Sequence, residues 1–181
     1  MLPRQLAGVE VLVNGSPAPI LYASASQINF QVPFEIAGTI ETQLAVRFNG
    51  NIGNTIPLRV TATAPNLYNG SFHADGTAIS STNPAKAGET VILFATGQGI
   101  VSPAIGTGEI AAGTDYKPEA SVRVQLASQD LIIHYAGLAP GTAGVMQLNV
   151  QLPPAIATGN WPVVLAIAGA ASQEEVFIAV R

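Results

Sequence analysis

Two short polar rows hold the residues best arranged to touch a ligand. Gln27, Asn29 and Gln31 alternate with Ile28, Phe30 and Val32, and Gln147, Asn149 and Gln151 alternate with Leu148, Val150 and Leu152. Successive side chains of a strand point to opposite faces, so each row sets three amides on one face. Such a row can offer donors and acceptors to sugar hydroxyls. It can equally cap neighbouring loops or cover a sheet with groups that suit water, and its double occurrence favours that scaffold role. Sugar platforms also need exposed aromatic rings for stacking. Among one Trp, four Tyr and six Phe, Tyr68, Phe72 and Tyr116 fall in loop-rich stretches and are the candidate contacts. Tyr22 and Tyr135 occupy equivalent positions and read as core or tyrosine-corner residues. Trp161 opens a strand and reads as packed at a sandwich end.

Residues for catalysis do not converge. His73 and Asp75 form a His-x-Asp pair beside Gly76, which reads more simply as a turn. His134 stands between apolar neighbours, and only two His are present. No Gly-x-Ser-x-Gly elbow occurs. The adjacent carboxylates Glu174 and Glu175 face opposite sides of a strand, which makes a poor acid–base pair. Gly97-Gln98-Gly99 and Gly106-Thr107-Gly108 neither open a helix nor carry the Lys of a phosphate loop. Glu109, Asp115 and Glu119 lack the ligand spacing of a calcium loop. The chain has no Cys, which excludes disulfides, thiolate zinc sites and thiol catalysis. The expectation is a non-enzyme with no catalytic residues, no metal and no cofactor.

Composition narrows the partners. Of 181 residues 48% are hydrophobic and 10% charged, with a net charge of −4, so the chain folds rather than staying disordered. Seven scattered basic residues make no stripe for phosphates or an anionic bilayer, so neither nucleic acid nor a membrane surface is expected. Every apolar run is broken by Gly, Pro or a polar residue well before ~18 residues, too early for a membrane-spanning helix. The start, Met1-Leu2-Pro3-Arg4-Gln5-Leu6, has no apolar stretch behind it and is not a signal peptide. For an exported protein the signal would lie upstream of this segment.

The elements that must position these residues are strands. Val9–Val13, Ile20–Ala23, Gln27–Val32, Gln43–Phe48, Thr55–Thr63, Thr90–Thr96, Ser121–Leu126, Leu131–Ala136, Val145–Leu152, Trp161–Ala168 and Glu174–Val180 carry the β pattern. Eighteen Gly and thirteen Pro lie among them, a spacing that points to sandwiches. Asn14-Gly15 and Asn49-Gly50 mark tight turns. At most a short helical turn is expected, at Glu35–Ala37 or Pro154–Ala157. The last third also repeats the first. Val9, Val11, Val13, Ile20, Tyr22 and Ala23 return as Val122, Val124, Leu126, Ile133, Tyr135 and Ala136 (122 − 9 = 113). Gln27–Pro33 returns as Gln147–Pro153, and Ile56, Leu58 and Val60 as Val176, Ile178 and Val180 (147 − 27 = 120). One insertion within Gly137–Met146 and a small slip near Gly50 and Gly169 reconcile the offsets. Pro65 to Pro118 has no counterpart in the first copy. The expected architecture is therefore all-β, two tandem immunoglobulin-like sandwiches. Residues 1–64 form a first module that lacks its opening strands, and residues 65–181 a complete second one.

Leu6–Val11, Pro17–Ala23, Gln27–Pro33, Ala95–Gly99 and Tyr135–Gly141 resemble, in wording and order, the uncharacterised C-terminal domain family of Solibacter-type acidobacterial secreted proteins. The second module is also similar to IPT/TIG immunoglobulin-like domains. The resemblance implies a tandem sandwich at the C-terminus of a large exported protein, with an extracellular or cell-surface location. It implies no catalytic residues. It also implies a truncated start, because a Pro-Gly-x-x-Val-x-x-x-Gly-like segment precedes the first block in that family.

Three roles follow as expectations. The first is a non-enzymatic spacer, adhesive or assembly unit with a protein or glycan partner at the cell surface. The second is an oligomer or filament subunit, since a sandwich missing strands exposes a sheet edge that another chain could complete. Packing of the half-module on the second module is the competing outcome. The third is a carbohydrate-binding module.

Overall fold

The computed structural model describes every residue from Met1 to Arg181. It is all-β, with one 3-10 turn at Phe34–Ile36 where a helical turn was expected around Glu35. Pro154–Ala157 forms no helical turn.

The first half contains β1 (Val9–Val13), β2 (Ser16–Ala18), β3 (Ile20–Ala23), β4 (Ile28–Phe30), β5 (Glu41–Phe48), β6 (Asn51–Ile52) and β7 (Ile56–Arg59). One antiparallel sheet runs β2-β1-β5-β6, with β7 also on β5, and the β3–β4 hairpin stands apart from it. Val9, Val11, Val13, Ala18 and Ile20 are buried between them, with Ile28, Phe30 and Leu44 packed alongside.

The second half contains β8 (Asn66–Phe72), β9 (Thr90–Thr96), β10 (Val101–Ser102), β11 (Lys117–Pro118), β12 (Val122–Leu126), β13 (Gln129–Asp130), β14 (Ile132–Leu138), β15 (Met146–Gln151), β16 (Gly159–Ile167), β17 (Ala170–Ala171) and β18 (Phe177–Val180). Here β13-β12-β16-β17, with β18 on β16, faces a four-stranded sheet β14-β15-β9-β8. Eighteen buried residues fill the space between, among them Leu93, Leu126, Leu148, Leu165 and Ile178. That is the main core. Alternation supplies it: in β9 Val91, Leu93 and Ala95 are buried while Ile92 and Phe94 lie on the other face.

The two halves pair their strands in the same register. Val11↔Val46 and Val13↔Leu44 in the first half match Val124↔Leu165 and Leu126↔Val163 in the second. The hairpins match as well, Tyr22↔Asn29 and Ala23↔Ile28 with Tyr135↔Asn149 and Ala136↔Leu148. Both carry a register shift one step earlier, after Ile20 and after Ile133. Asn14-Gly15 and Asn49-Gly50 take positive φ at both residues, as two-residue hairpin turns require. Tyr22 departs from expectation. It is 49% exposed, whereas Tyr135 donates from its hydroxyl to the Leu138 carbonyl at 2.7 Å.

The segment between β8 and β9 is pinned by an ion pair, His73 Nδ1 to Glu89 Oε1 at 2.5 Å. The hydrogen bond to Glu89 raises the His73 pKa above its ordinary 6.5, helped by the Asn83 carbonyl and the charge of Asp75. Burial pushes the Glu89 carboxyl up, but the Lys86 N–H and His73 together outweigh it and leave Glu89 below its ordinary 4.5. The signs fix a window. The His73 contribution is complete below 6.5 and fades as pH rises through the raised value. The Glu89 contribution is complete above 4.5 and fades as pH falls through the lowered one. The loss of stability on His73→Gln, followed by urea midpoints, is therefore expected to be largest between pH 4.5 and 6.5 and to shrink in alkali. A loss equal at all pH values would show that the ion pair contributes nothing.

Candidate functional site

The feature that separates the halves is what covers the inner face of the β5 sheet. Val9, Val11 and Val13 pair with Phe48, Val46 and Leu44, and Leu44 and Thr42 pair with Ile56 and Leu58. Directly paired residues share a face, so Val46, Phe48, Ile56 and Leu58 all look inward. They are nevertheless 36%, 54%, 54% and 38% exposed. Their equivalents Leu165, Ile167, Val176 and Ile178 are 0%, 0%, 1% and 0% exposed. The cause is direct. In the second half β8 packs on β16 and β18, and β9 adds to β15. In the first half β3 and β4 face the sheet alone, and β4 pairs only with β3.

Beside the free edge of β4 opens an apolar cleft of about 380 Å³. Phe30–Phe34 and Ile36–Gly38 line one side, and the passage Val60–Ala64 with Thr96–Ile100 and Tyr68 lines the other. Two backbone donors mark this region. Val32 N–H and Thr61 N–H make no hydrogen bond to backbone or side chain. Their equivalents are Leu152 and Arg181 (152 − 32 = 181 − 61 = 120). Leu152 N–H donates to the Glu89 carbonyl at 2.8 Å, and Arg181 N–H donates to the Ala85 carbonyl at 2.9 Å. Gln98, which also lines the cleft, is 4% exposed, and its Oε1 has no hydrogen-bond partner.

The far wall is held close by glycine. Ala64 N–H donates to the Gly97 carbonyl at 2.9 Å. A Cβ on Gly97 would lie 1.8 Å from the Ala64 oxygen, and one on Gly99 2.5 Å from the Ala62 oxygen. Thr96-Gly97-Gln98-Gly99 is thus the groove through which the connection between the halves passes. Further bonds join the halves. Gly108 N–H donates to Gln31 Oε1 at 2.8 Å, and Thr107 Oγ1 donates to Glu35 Oε2 at 2.7 Å while accepting from Phe34 N–H at 2.9 Å. That Thr107 hydrogen bond holds the Glu35 carboxyl below its ordinary pKa. The two halves are therefore joined around Gln31, while the face of β5 and β7 stays open.

The amide rows do not form one platform. Gln27 Nε2 donates to Asn29 Oδ1 at 2.7 Å, and Gln147 Nε2 to Asn149 Oδ1 at 2.9 Å, so each pair is closed on itself. Gln31 is buried at the junction of the halves. Gln151 donates to the Gly88 carbonyl at 3.2 Å and lies 3.3 Å from His134 Nε2. Of the aromatic candidates, Tyr68 and Phe72 belong to strand β8 and not to a loop. Tyr68 is exposed at the cleft. Phe72 packs edge-on against Phe94 with ring centres 5.8 Å apart. Tyr116 packs on the small cluster of Val101, Ala111 and Leu138. Sequence reasoning named no residue of the open inner face, although Ile56 and Leu58 were aligned with Val176 and Ile178; the difference lies in what covers them.

No helix is long and apolar enough to cross a membrane. No protein-family model and no curated protein matches the chain.

Proposed function

We propose that the chain is a non-enzymatic structural and interaction module of an exported protein, and that it engages a protein partner through the open inner face of its first half. The observation that carries this reading is the exposure of Val46, Phe48, Ile56 and Leu58, whose equivalents in the same scaffold are sealed. Leaving four inward-facing apolar side chains half wet costs a sandwich about 1 kcal/mol or more each relative to full burial, and a contiguous apolar face of this kind marks an interaction surface. The placement in a large secreted protein rests on the sequence blocks that resemble such C-terminal domains.

The test is binding of an environment-sensitive hydrophobic dye to the native chain, below any unfolding transition. Strong native-state fluorescence is expected. Val46→Asp combined with Ile56→Asp is expected to remove most of it without changing the far-ultraviolet circular dichroism, because both side chains already touch water. A native chain that binds no dye, or a double variant that binds as much, would show that this face is not available to partners.

A further inference from the structure

We infer that Asn69-Gly70, in the edge strand β8, is a site of spontaneous modification, where the folded chain turns its asparagine into aspartate or isoaspartate and gains a negative charge. Asparagine is a thermally labile residue. A glycine after it favours the reaction, because no Cβ shields the attacking nitrogen and the backbone turns freely. The chain has three such pairs, Asn14-Gly15, Asn49-Gly50 and Asn69-Gly70, and the fold tells them apart.

The only reagent is water. The Gly70 backbone nitrogen gives its proton to hydroxide and attacks Cγ of Asn69. The Cγ–Nδ2 bond breaks, and the side-chain nitrogen takes a proton from water and leaves as ammonia. A cyclic imide remains. Water opens it at Cγ, which leaves aspartate, or at the backbone carbonyl carbon, which leaves isoaspartate with an extra carbon in the main chain. In total a water is consumed and an ammonia released.

Two of the pairs are locked in tight turns, with Asn14 at φ 49° and Asn49 at φ 47°. Asn14 Oδ1 accepts from Gln43 N–H at 2.9 Å, which holds its Cγ in place. Asn49 Oδ1 lies against Gly8, where an added Cβ would be 2.2 Å from it. Their own N–H groups donate to the Gln43 and Gly8 carbonyls at 2.8 and 2.9 Å. Asn69 and Gly70 are exposed and lie where β8 bulges. Leu67 pairs with Ala95 and Ser71 with Leu93, so Tyr68, Asn69 and Gly70 together stand against Phe94. Gly70 has φ +113°, and a Cβ there would meet only the Phe72 ring, at 3.8 Å. Ring closure has room.

The same bulge keeps the product folded. On one side Leu67 N–H donates to Gln173 Oε1 at 3.1 Å. On the other the Ser71 carbonyl accepts from Ile79 N–H at 2.9 Å. Leu67 and Ser71 are both buried. The extra carbon of isoaspartate falls between these anchors, in a stretch already longer than its partner. The new carboxylate stands beside Tyr68, the exposed ring at the cleft, and the net charge goes from −4 to −5 (−4 − 1 = −5).

The test is incubation of the intact chain in mild alkali at body temperature, followed by brief trypsin digestion in weak acid and mass spectrometry. Cleavage after Arg47, Arg59 and Lys86 puts the three pairs on separate fragments. Asn69 is expected to react at least about tenfold faster than Asn14 or Asn49, the effect of a hydrogen bond that must first break. In urea, with the turns melted, that lead should vanish. The aged chain should focus at a lower pH yet sediment and melt like the fresh one, and Asn69→Asp should behave the same way. A native chain in which Asn14 or Asn49 keeps pace with Asn69 would overturn the inference. So would an Asn69 that stays intact while the unfolded chain reacts, or a lead that persists in urea, which would put the cause in the local sequence. An aged chain and an Asn69→Asp variant that both unfold early would overturn the claim that the bulge absorbs the change.

Discussion

Leu165→Ala should lower the melting temperature by about 5–15 °C, because deleting a fully buried leucine costs about 2–5 kcal/mol and a domain of this size loses about 2–4 °C per kcal/mol. Val46→Ala, the same position of the other half (165 − 46 = 119), should cost under about 1 kcal/mol, as surface-side truncations do. The contrast comes from burial alone. Both residues are central in a strand of one register, opposite Val124 and Val11, but Leu165 is 0% and Val46 36% exposed. The measurement is a pair of thermal or urea melts. Equal losses would mean that Val46 is covered in solution, and the open face would not exist. Adding a partner that fills the face should make Val46→Ala costly, which turns the pair of variants into a report on occupancy.

Gly97→Ala should be the most damaging single methyl in the chain. The backbone there has φ +80°, a conformation that favours glycine, and the new Cβ would lie 1.8 Å from the Ala64 oxygen. Backbone cannot swing aside as a side-chain end can, so the connection between the halves must move, at a cost of at least about 2 kcal/mol. Gly15→Ala separates the two causes. Its φ is +79° with nothing within 4 Å, so it should pay only the conformational cost of about 1–2 kcal/mol. Urea midpoints decide between them. If Gly97→Ala is no worse than Gly15→Ala, the passage of residues 62–65 over Thr96–Gly99 is not a tight contact. Where the passage is displaced, the cleft loses its far wall, so dye binding should change with it.

Much of the architecture was legible from alternation and turn chemistry, because both act over a few residues. Val9–Val13 followed by Asn14-Gly15 can hardly be other than a strand and a tight turn. β9 was legible in the same way, from the alternation of Thr90–Thr96. β8 was not. Asn66-Leu67-Tyr68-Asn69-Gly70-Ser71-Phe72 reads as loop, and it pairs with β9 only through a register shift between Leu67 and Ser71. Tyr68 and Phe72 were misplaced with it. The fate of Gln31 was equally hidden. It follows the same alternation as Gln27 and Asn29, yet it is buried by Gly108 and Gly144, contacts made across more than seventy residues. Periodicity says which face a side chain takes; it does not say whether another part of the chain arrives to cover that face.

The free edge at β4 has a further consequence for how the protein behaves in a crowded solution. From Ser24 to Val32 the edge carries no Lys, Arg, Asp, Glu or Pro, the residues by which sheet proteins ward off sticking to their own kind. Nothing along it repels an identical edge, so heating, which loosens local structure, and concentrating, which multiplies encounters, both favour edge-to-edge contact. An edge without such guards is a place where clumping of the concentrated chain starts.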